Sequence, residues 1–401
     1  MRSQAPPKPV RVSRIVLILG ALSAFGPVAM DTYLPGLPEL SRDIGASASE
    51  AQLTLTACLF GLAAGQVLAG PASDALGRRR PLLAGLAAFT IASLLCAAAP
   101  DVWSLIGARL LQGAAGAVGI VLARAIARDL HSGDALARFF ALLMLVNGLA
   151  PILAPVVGAQ LLHVTDWRGV FVVLAGAGLA LLVVVAVALP ETLPPERRHG
   201  GGLAATRRAF ADLLSDRRFV GYVLSCGLVF AAMFAYIAGS PFVLQEVHGL
   251  SATEFSLVFG ANAAGIMAMS AVSSRLVTRT GPARLLAAGL GVQAAGALVL
   301  LLSVLADGGL AGVLTGLFLV VASVGLVFPN ASALAMADHP DRAGSASALL
   351  GLCQFVFGAV SAPLVGVAGT GTAVPMAVVI VASSGAAVVA YVTLAGRAAF
   401  P

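Results

Sequence analysis

The stretch 169–189, GVFVVLAGAGLALLVVVAVAL, decides the fold, and it is followed at once by the charged stretch 190–219, PETLPPERRHGGGLAATRRAFADLLSDRRF. The first stretch is long enough to cross the hydrocarbon core of a bilayer as a helix, and it contains no charged residue. The second is polar and contains Pro and Gly. Together they predict an integral membrane protein with a linker near the middle of the chain.

Eleven further apolar segments surround this stretch and give twelve predicted spans, an all-α fold class of twelve transmembrane helices in two six-helix halves. The spans lie near residues 15–37, 51–72, 81–99, 103–124, 139–162, 169–189, 220–243, 255–277, 285–305, 309–332, 345–368 and 373–395. We predict a cytoplasmic tail at 1–14, a first half at 15–189, a linker at 190–219 and a second half at 220–396. Similar loops after spans two and eight, at 70–80 and 274–284, support a repeat of the kind found in alternating-access carriers.

The composition excludes several other classes of protein. At 59% hydrophobic and 10% charged residues, the chain lacks the charged surface of a soluble domain. The net charge of +6 comes from basic residues in short loops, so we expect no nucleic-acid partner. The four Cys residues lie within apolar segments without a metal-binding spacing, so we expect no metal site and no disulfide scaffold.

The basic residues predict the orientation in the membrane. Twenty of the 24 Lys and Arg residues lie on the same side as the N-terminus, whereas Arg42 and Arg168 lie on the other side and Arg109 and Arg124 lie within span four. The positive-inside rule therefore places both termini in the cytoplasm.

Two ionisable residues lie deep within the predicted spans. Asp31 and Arg109 each lie about six residues from the outer end of a span, roughly 9 Å inside the membrane. A buried charge is costly, so each is expected to face a cavity or a partner. Loss of hydration favours the neutral form of the Asp31 carboxyl, and a nearby guanidinium favours the ionised form. We predict that the two residues couple transport to protons, with a structural ion pair as the alternative.

Spans seven and eight contain many aromatic and flexible apolar side chains. These are Phe230, Met233, Phe234, Tyr236, Phe242, Met267 and Met269, beside the polar Asn262. Such a surface adapts to varied lipophilic ligands, although packing in the core or against lipid is the alternative for any single side chain.

Four stretches resemble the motifs of a known family. MDTYLPGLP at 30–38 resembles a first-helix signature, GPASDALGRRR at 70–80 a loop motif, RLLQG at 109–113 a fourth-helix motif, and APVVGA at 154–159 a fifth-helix antiporter motif. On these residues the chain resembles the major facilitator superfamily, and within it the drug:proton antiporters of the bicyclomycin and chloramphenicol resistance type. Ala72 and Ala75 in the loop, and Ala154 and Ala159 in the fifth helix, depart from the family pattern.

The residue patterns above and the resemblance together predict roles for particular residues, listed here by role. We expect proton coupling by Asp31 and Arg109, and substrate binding by Asp31, Tyr33, Met233, Phe234, Tyr236 and Asn262. We expect a conformational latch formed by Gly70, Asp74, Gly77, Arg78, Arg79 and Arg124. Pro155 and Gly158 belong to the expected antiporter helix. The resemblance also implies a monomer in the bacterial cytoplasmic membrane that exports small hydrophobic drug-like molecules, driven by the proton gradient rather than by a cofactor.

Three other functions compete with drug export. Proton-coupled uptake of a small nutrient is allowed equally by the fold, and only the antiporter-like motifs oppose it. An intramembrane hydrolase would need a Ser/His pair or two aspartates in the membrane, and the sequence offers one deep Asp and no deep His. A channel would need a ring of charges or a repeated filter segment, and neither is visible. We therefore expect a carrier and not an enzyme.

Overall fold

A computed structural model describes residues 12–130, 133–198, 210–337, 339, 343–367, 369 and 371–395. Twelve long helices in these ranges coincide with the twelve predicted spans, and the described ranges contain no strand. The helices are α1 (Val12–Asp31), α2 (Ala48–Leu76), α3 (Arg79–Ala97), α4 (Val102–Leu130), α5 (Gly133–Leu162), α6 (Trp167–Ala188), α7 (Arg217–Phe242), α8 (Ala252–Thr280), α9 (Pro282–Leu305), α10 (Gly309–Ala337), α11 (Ala343–Gly366) and α12 (Val374–Ala390).

Helix length and composition confirm the all-α membrane fold class. Within the described residues, eleven helices are long and apolar enough to cross a bilayer, and α5 contributes the shorter apolar stretch Leu149–Leu162. Most of the predicted tail at 1–14 and residues 199–209 of the predicted linker lie outside the described residues. The boundaries of the two halves stay a prediction.

Several helices extend beyond the predicted spans because polar residues continue them past the apolar core. Ser47 begins α2 with a capping box, in which its hydroxyl accepts from the Glu50 backbone N–H and the Glu50 carboxylate accepts from the Ser47 backbone N–H. Ser251 and Glu254 begin α8 in the same way. The matching caps lie at corresponding positions of the two sets of six helices, so the sequence repeat extends to the helix starts.

The predicted span 15–37 is confirmed as part of the apolar span Leu17–Asp43, but its helix is interrupted after Asp31. Helix α1 ends at Asp31, a single 3-10 turn covers Leu34–Gly36, and a short helix runs from Leu37 to Asp43. Pro35 and Pro38 stand near the start of these two pieces, where their missing N–H groups are tolerated but a continuous helix is not. Asp31 therefore lies at a break in the helix rather than within a regular turn.

The hydrophobic core differs between the two ends of the bundle. At the predicted outer end, which carries the connections 98–101, 163–166 and 306–308, one continuous cluster joins buried residues of α1–α6 with those of α7–α12. At the predicted inner end, each set of six helices has a separate cluster. Helix α2 packs on α11, and α5 packs on α8. The described structure is thus closed at the predicted outer end.

Candidate functional site

A cavity of about 400 Å³ lies between the two sets of six helices. Asp31, Pro27 and Leu62 belong to its wall on one side, and Phe230 and Tyr236 belong to the wall on the other. Among the described residues that line it, Asp31 and Tyr236 have polar side chains and the others are apolar. The cavity can therefore hold an apolar body that meets one carboxyl group and one phenol.

The Asp31 carboxyl group is buried, with 6% of the residue exposed, and lies on the cavity wall. In the part of the chain that the structure describes, it makes no hydrogen bond or ion pair. The alternative interpretation, a structural ion pair with Arg109, is therefore not formed in this conformation, although the Arg109 charge is close enough to act on Asp31 electrostatically. An unpaired carboxyl group at a cavity surface is accessible to a proton or a ligand.

The Arg109 side chain on α4 is fully buried behind this wall. Its Nη1 donates to Gln112 and, at 3.3 Å, to the carbonyl oxygen of Ala29. Its Nε and Nη2 have no hydrogen-bond partner among the described residues. A buried charge with unused donors is costly, so this guanidinium retains hydrogen-bonding capacity for a group that approaches it.

The Tyr33 side chain covers Arg109 and does not line the cavity. The Arg109 Cζ atom lies 4.4 Å from the centre of the Tyr33 ring and 5.6 Å from that of Phe171. Cation–π contacts with a desolvated guanidinium contribute about 2 kcal/mol each, which offsets part of the cost of burial. The Tyr33 hydroxyl pairs with the Thr54 hydroxyl at 2.9 Å. Tyr33, predicted to bind substrate, is thus placed to orient Arg109 instead.

The α7 and α8 side of the cavity contains most of the predicted contact residues. Met233, Phe234 and Tyr236 line it, as do Phe259 and Met267. Asn262 does not belong to the lining residues. Its Nδ2 donates to the Tyr236 hydroxyl oxygen at 3.0 Å, so Asn262 holds a lining residue in place.

The predicted latch loop is joined to other parts of the first six helices. The Arg78 guanidinium bonds Asp74 at 2.6 Å and Asp129, at the end of α4, at 2.9 Å. The backbone N–H groups of Arg78 and Arg79 donate to the Glu191 carboxylate just after α6. Partial burial opposes ionisation of Glu191, but these backbone donors and that of Leu193 outweigh it and hold its pKa below its usual range.

Sequence reasoning missed Asp129 and Glu191. Both are acids at the predicted inner ends of helices, beside the Arg78–Arg79–Arg80 run, so charge complementarity was the available signal. Gly77 makes the close approach possible, because it has a φ of +90° and a methyl group there would lie 2.5 Å from a Glu191 carboxylate oxygen. Gly70 has open space around it, so its predicted role has no steric basis in this conformation.

Arg124, the sixth predicted latch residue, lies apart from this network. It is exposed on α4 and makes no hydrogen bond or ion pair with another described residue. Its predicted role as a latch residue therefore requires another conformation.

The predicted antiporter helix, α5, approaches the break after α1 very closely. A methyl group at Gly158 would lie 1.8 Å from the carbonyl oxygen of Thr32, a distance that no side chain tolerates. Pro155 is buried one turn before it. Gly158 therefore lets α5 pack directly on the backbone that follows Asp31.

Comparison with known proteins decides the family. A family model described as Major Facilitator Superfamily matches residues 17–363. The chain belongs to the major facilitator superfamily. A chain of this superfamily is a transporter, so the expectation of a carrier rather than an enzyme is confirmed.

Named relatives cover almost the whole transporter. It is 41% identical over 364 residues to "Uncharacterized MFS-type transporter YdgK" of Bacillus subtilis, covering 90% of each chain. It is 31% identical to "Bicyclomycin resistance protein homolog" of Haemophilus influenzae, covering 95% of this chain and 96% of the relative. It is 29% identical to "Multidrug resistance protein MdtL" of Citrobacter koseri, covering 86% of each. The predicted resemblance to this group of the superfamily is confirmed.

Solved structures confirm the fold. A bacterial homologue of the human lysosomal transporter Spinster matches with a TM-score of 0.76 and 16% identity, covering 96% of each chain. The xylose transporter XylE of E. coli matches with a TM-score of 0.69 and 15% identity, covering 93% of this transporter and 96% of XylE.

Polar bonds across the two sets of helices close the transporter at its predicted outer end. Gln52 Nε2 donates to the carbonyl oxygen of Ala238 at 3.0 Å, and the Thr56 hydroxyl donates to that of Ala359 at 2.9 Å. The Ser49 hydroxyl donates to Pro363 in the same way. These contacts, which form the outer gate, could not be predicted from the sequence, because a single polar residue on an apolar helix does not indicate which helix it will bond.

Gln52→Ala should open this outer gate. The change removes one buried hydrogen bond worth about 1 kcal/mol, so the ratio of outward-open to outward-closed molecules should rise roughly fivefold. Spin labels at the exposed Val164 and Ala306 would report longer outer distances. Gln160→Ala, an exposed Gln near the outer end, is the control. Equal distance distributions in both variants would show that the Gln52 bond does not hold the gate.

Proposed function

We propose that this transporter exports small hydrophobic drug-like molecules in exchange for protons by alternating access. The observation that carries the proposal is the central cavity, whose apolar wall presents one unpaired carboxyl group, that of Asp31. An apolar wall rich in Met and Phe side chains suits varied lipophilic molecules. A carboxyl group on such a wall is able to carry a proton or attract a cation, but not both at once. The names of the bicyclomycin and multidrug resistance relatives support the same direction of transport.

Arg109 supplies the electrostatic half of the proposed coupling. Its buried positive charge favours the ionised form of Asp31, and its two unused donors are available to the carboxylate when the helices move. A proton or a cationic substrate bound at Asp31 then competes with the interaction between the Asp31 carboxylate and Arg109. Because Asp31 lies at the break between α1 and the next turn, a small backbone movement changes its distance from Arg109. The proton gradient is the energy source in this scheme, and no cofactor takes part.

Export and uptake are distinguished by where the compound accumulates. A host lacking its own efflux pumps and expressing this transporter should accumulate less chloramphenicol or tetraphenylphosphonium than the host with an empty vector. Collapse of the proton gradient should remove the difference. Higher accumulation in the expressing cells would favour proton-coupled nutrient-type uptake, and a difference that survives loss of the proton gradient would contradict proton coupling.

The loop that contains Asp74 is expected to control the balance between the outward-open and outward-closed states. In the described conformation the Asp74 carboxylate is half exposed and bonds Arg78, which Asp129 also holds, so loss of its charge should cost less than about 1 kcal/mol here. The proposed latch acts in the outward-open state instead. Asp74→Asn should therefore lower the outward-open population roughly 5- to 150-fold, the range of a coupling of about 1 to 3 kcal/mol.

The labels at Val164 and Ala306 measure this shift as well. Asp74→Asn should give shorter outer distances, slower export and unchanged drug binding. Glu196→Gln, which removes another exposed acid from the linker, is the matched control. Wild-type distances and wild-type export in Asp74→Asn would leave Asp74 as an ordinary loop charge.

A further inference from the structure

Among the described lining residues of α7–α12, Tyr236 is the one with a polar side chain, and several contacts hold it in place. The residue is 2% exposed. Its ring stacks on Phe259 with the ring centres 5.5 Å apart and an angle of 22° between the planes. Asn262 Nδ2 donates to its hydroxyl oxygen at 3.0 Å. These contacts fix both the ring and the oxygen atom.

The bond from Asn262 leaves the Tyr236 hydrogen available. A phenol oxygen that accepts from one donor still has its own O–H to give, and the accepted bond polarises that O–H. Ser240, one turn further along α7, is fully buried beside the Tyr236 hydroxyl, but among the described residues its own hydroxyl makes no hydrogen bond of normal geometry. The Tyr236 O–H on the cavity wall therefore keeps hydrogen-bonding capacity for a ligand.

We propose that the Tyr236 hydroxyl, positioned by Asn262, selects substrates that carry a hydrogen-bond acceptor on an otherwise apolar body. The inference rests on the proposed export function and narrows its substrate class. Asp31 on one wall accepts a proton or faces a positive charge, and Tyr236 on the opposite wall donates to a carbonyl, ether or similar oxygen. A purely apolar molecule would leave the phenol O–H without an acceptor in a water-poor site, which costs binding energy.

A matched pair of cations isolates this contribution. Tetraphenylphosphonium and (4-acetylphenyl)triphenylphosphonium share charge and shape, and the second adds one carbonyl oxygen. The purified wild-type transporter should bind the acetyl compound roughly 5- to 10-fold more tightly, the range expected for one hydrogen bond. Tyr236→Phe should reduce that ratio to about 1. Chloramphenicol, a neutral molecule with several acceptors, should lose affinity in the same variant.

Two further variants distinguish the loss of the Tyr236 hydrogen bond from a general loss of apolar contacts or of folding. Met233→Ala removes an apolar contact, so it should weaken binding of both phosphonium compounds equally and keep their ratio. Tyr236→Phe leaves the Asn262 amide without its partner, which could destabilise the fold. The double variant Tyr236→Phe/Asn262→Leu removes both partners of this hydrogen bond. It therefore tests whether a loss of selectivity comes from the missing hydroxyl or from damage to the fold. Thermal unfolding of each purified variant accompanies the binding measurement.

Each outcome decides the inference. A wild-type ratio of about 1, or a ratio that persists in Tyr236→Phe, would overturn the role of Tyr236 while the binding itself sustains the proposed function. If the wild type binds chloramphenicol alone, an unchanged chloramphenicol affinity in Tyr236→Phe would overturn it. Binding of none of the three probes, with no lowered accumulation in cells, would contradict the proposed function and this inference together.

Discussion

Replacing Asp31 with Asn is expected to reduce proton-driven export to the level of cells without the transporter. The amide keeps the size of the side chain and some of its hydrogen bonding, but it cannot exchange a proton. Asp31 is the one described lining residue of the central cavity with a carboxyl group, so none of the other described lining side chains can replace it. The measurement is uptake of drug into everted membrane vesicles driven by an imposed pH gradient.

Glu39→Gln is the matched control for this change. Glu39 is an acid on the short helix that follows the same break, but it does not line the cavity. It should retain most of the activity. Drug binding in Asp31→Asn, measured without a gradient, separates lost coupling from lost folding. Gradient-driven uptake by Asp31→Asn at the wild-type rate would remove Asp31 from the mechanism.

Arg109→Ala is expected to lower gradient-driven transport by about 5- to 150-fold, the range of an electrostatic coupling of about 1 to 3 kcal/mol. The guanidinium no longer biases Asp31, and the Tyr33 and Phe171 rings lose the cation that they cover. Arg109→Lys keeps the charge but not the planar guanidinium that lies against the Tyr33 ring, so it should be partly active. Initial rates in vesicles, normalised to the amount of protein, measure both variants.

The pH dependence of transport separates a coupling role from a structural one. If Arg109 biases the ionisation of Asp31, Arg109→Lys should shift the pH profile of export rather than scale it uniformly. Gln112→Leu is the second variant, and it removes the side chain that accepts a hydrogen bond from Arg109 and donates one to Ser93. It should also shift the pH profile of export. An Arg109→Ala variant that expresses and transports normally would make the buried charge irrelevant to coupling.

Most of the fold could be predicted because hydropathy reports where a backbone must be helical. A bilayer leaves no alternative partner for buried N–H and C=O groups, so each apolar stretch of sufficient length becomes a helix. The ends were harder to predict, since Ser47 and Ser251 cap helices in polar sequence that hydropathy assigns to loops. The break after Asp31 was also missed, although Pro35 and Pro38 signalled it.

The candidate site was predicted in part. A deep charge is visible in sequence because of its cost in the membrane, which is why Asp31 and Arg109 stood out. Their relative placement was not visible, and the structure puts Arg109 behind Tyr33 rather than in an ion pair with Asp31. The contacts of Gln52, Asp129 and Glu191 depend on which helices pack together, and no local pattern encodes that.

Release of a proton when substrate binds is the direct consequence of an exchange at Asp31. Chloramphenicol or a phosphonium probe is added to detergent-purified transporter in weakly buffered solutions that cover a range of pH, and a pH indicator records released protons. We expect release that saturates with binding in the wild type and no release in Asp31→Asn, although that variant still binds the probe. Equal proton release from both proteins, or saturating binding without release in the wild type, would contradict the exchange of proton for drug at Asp31.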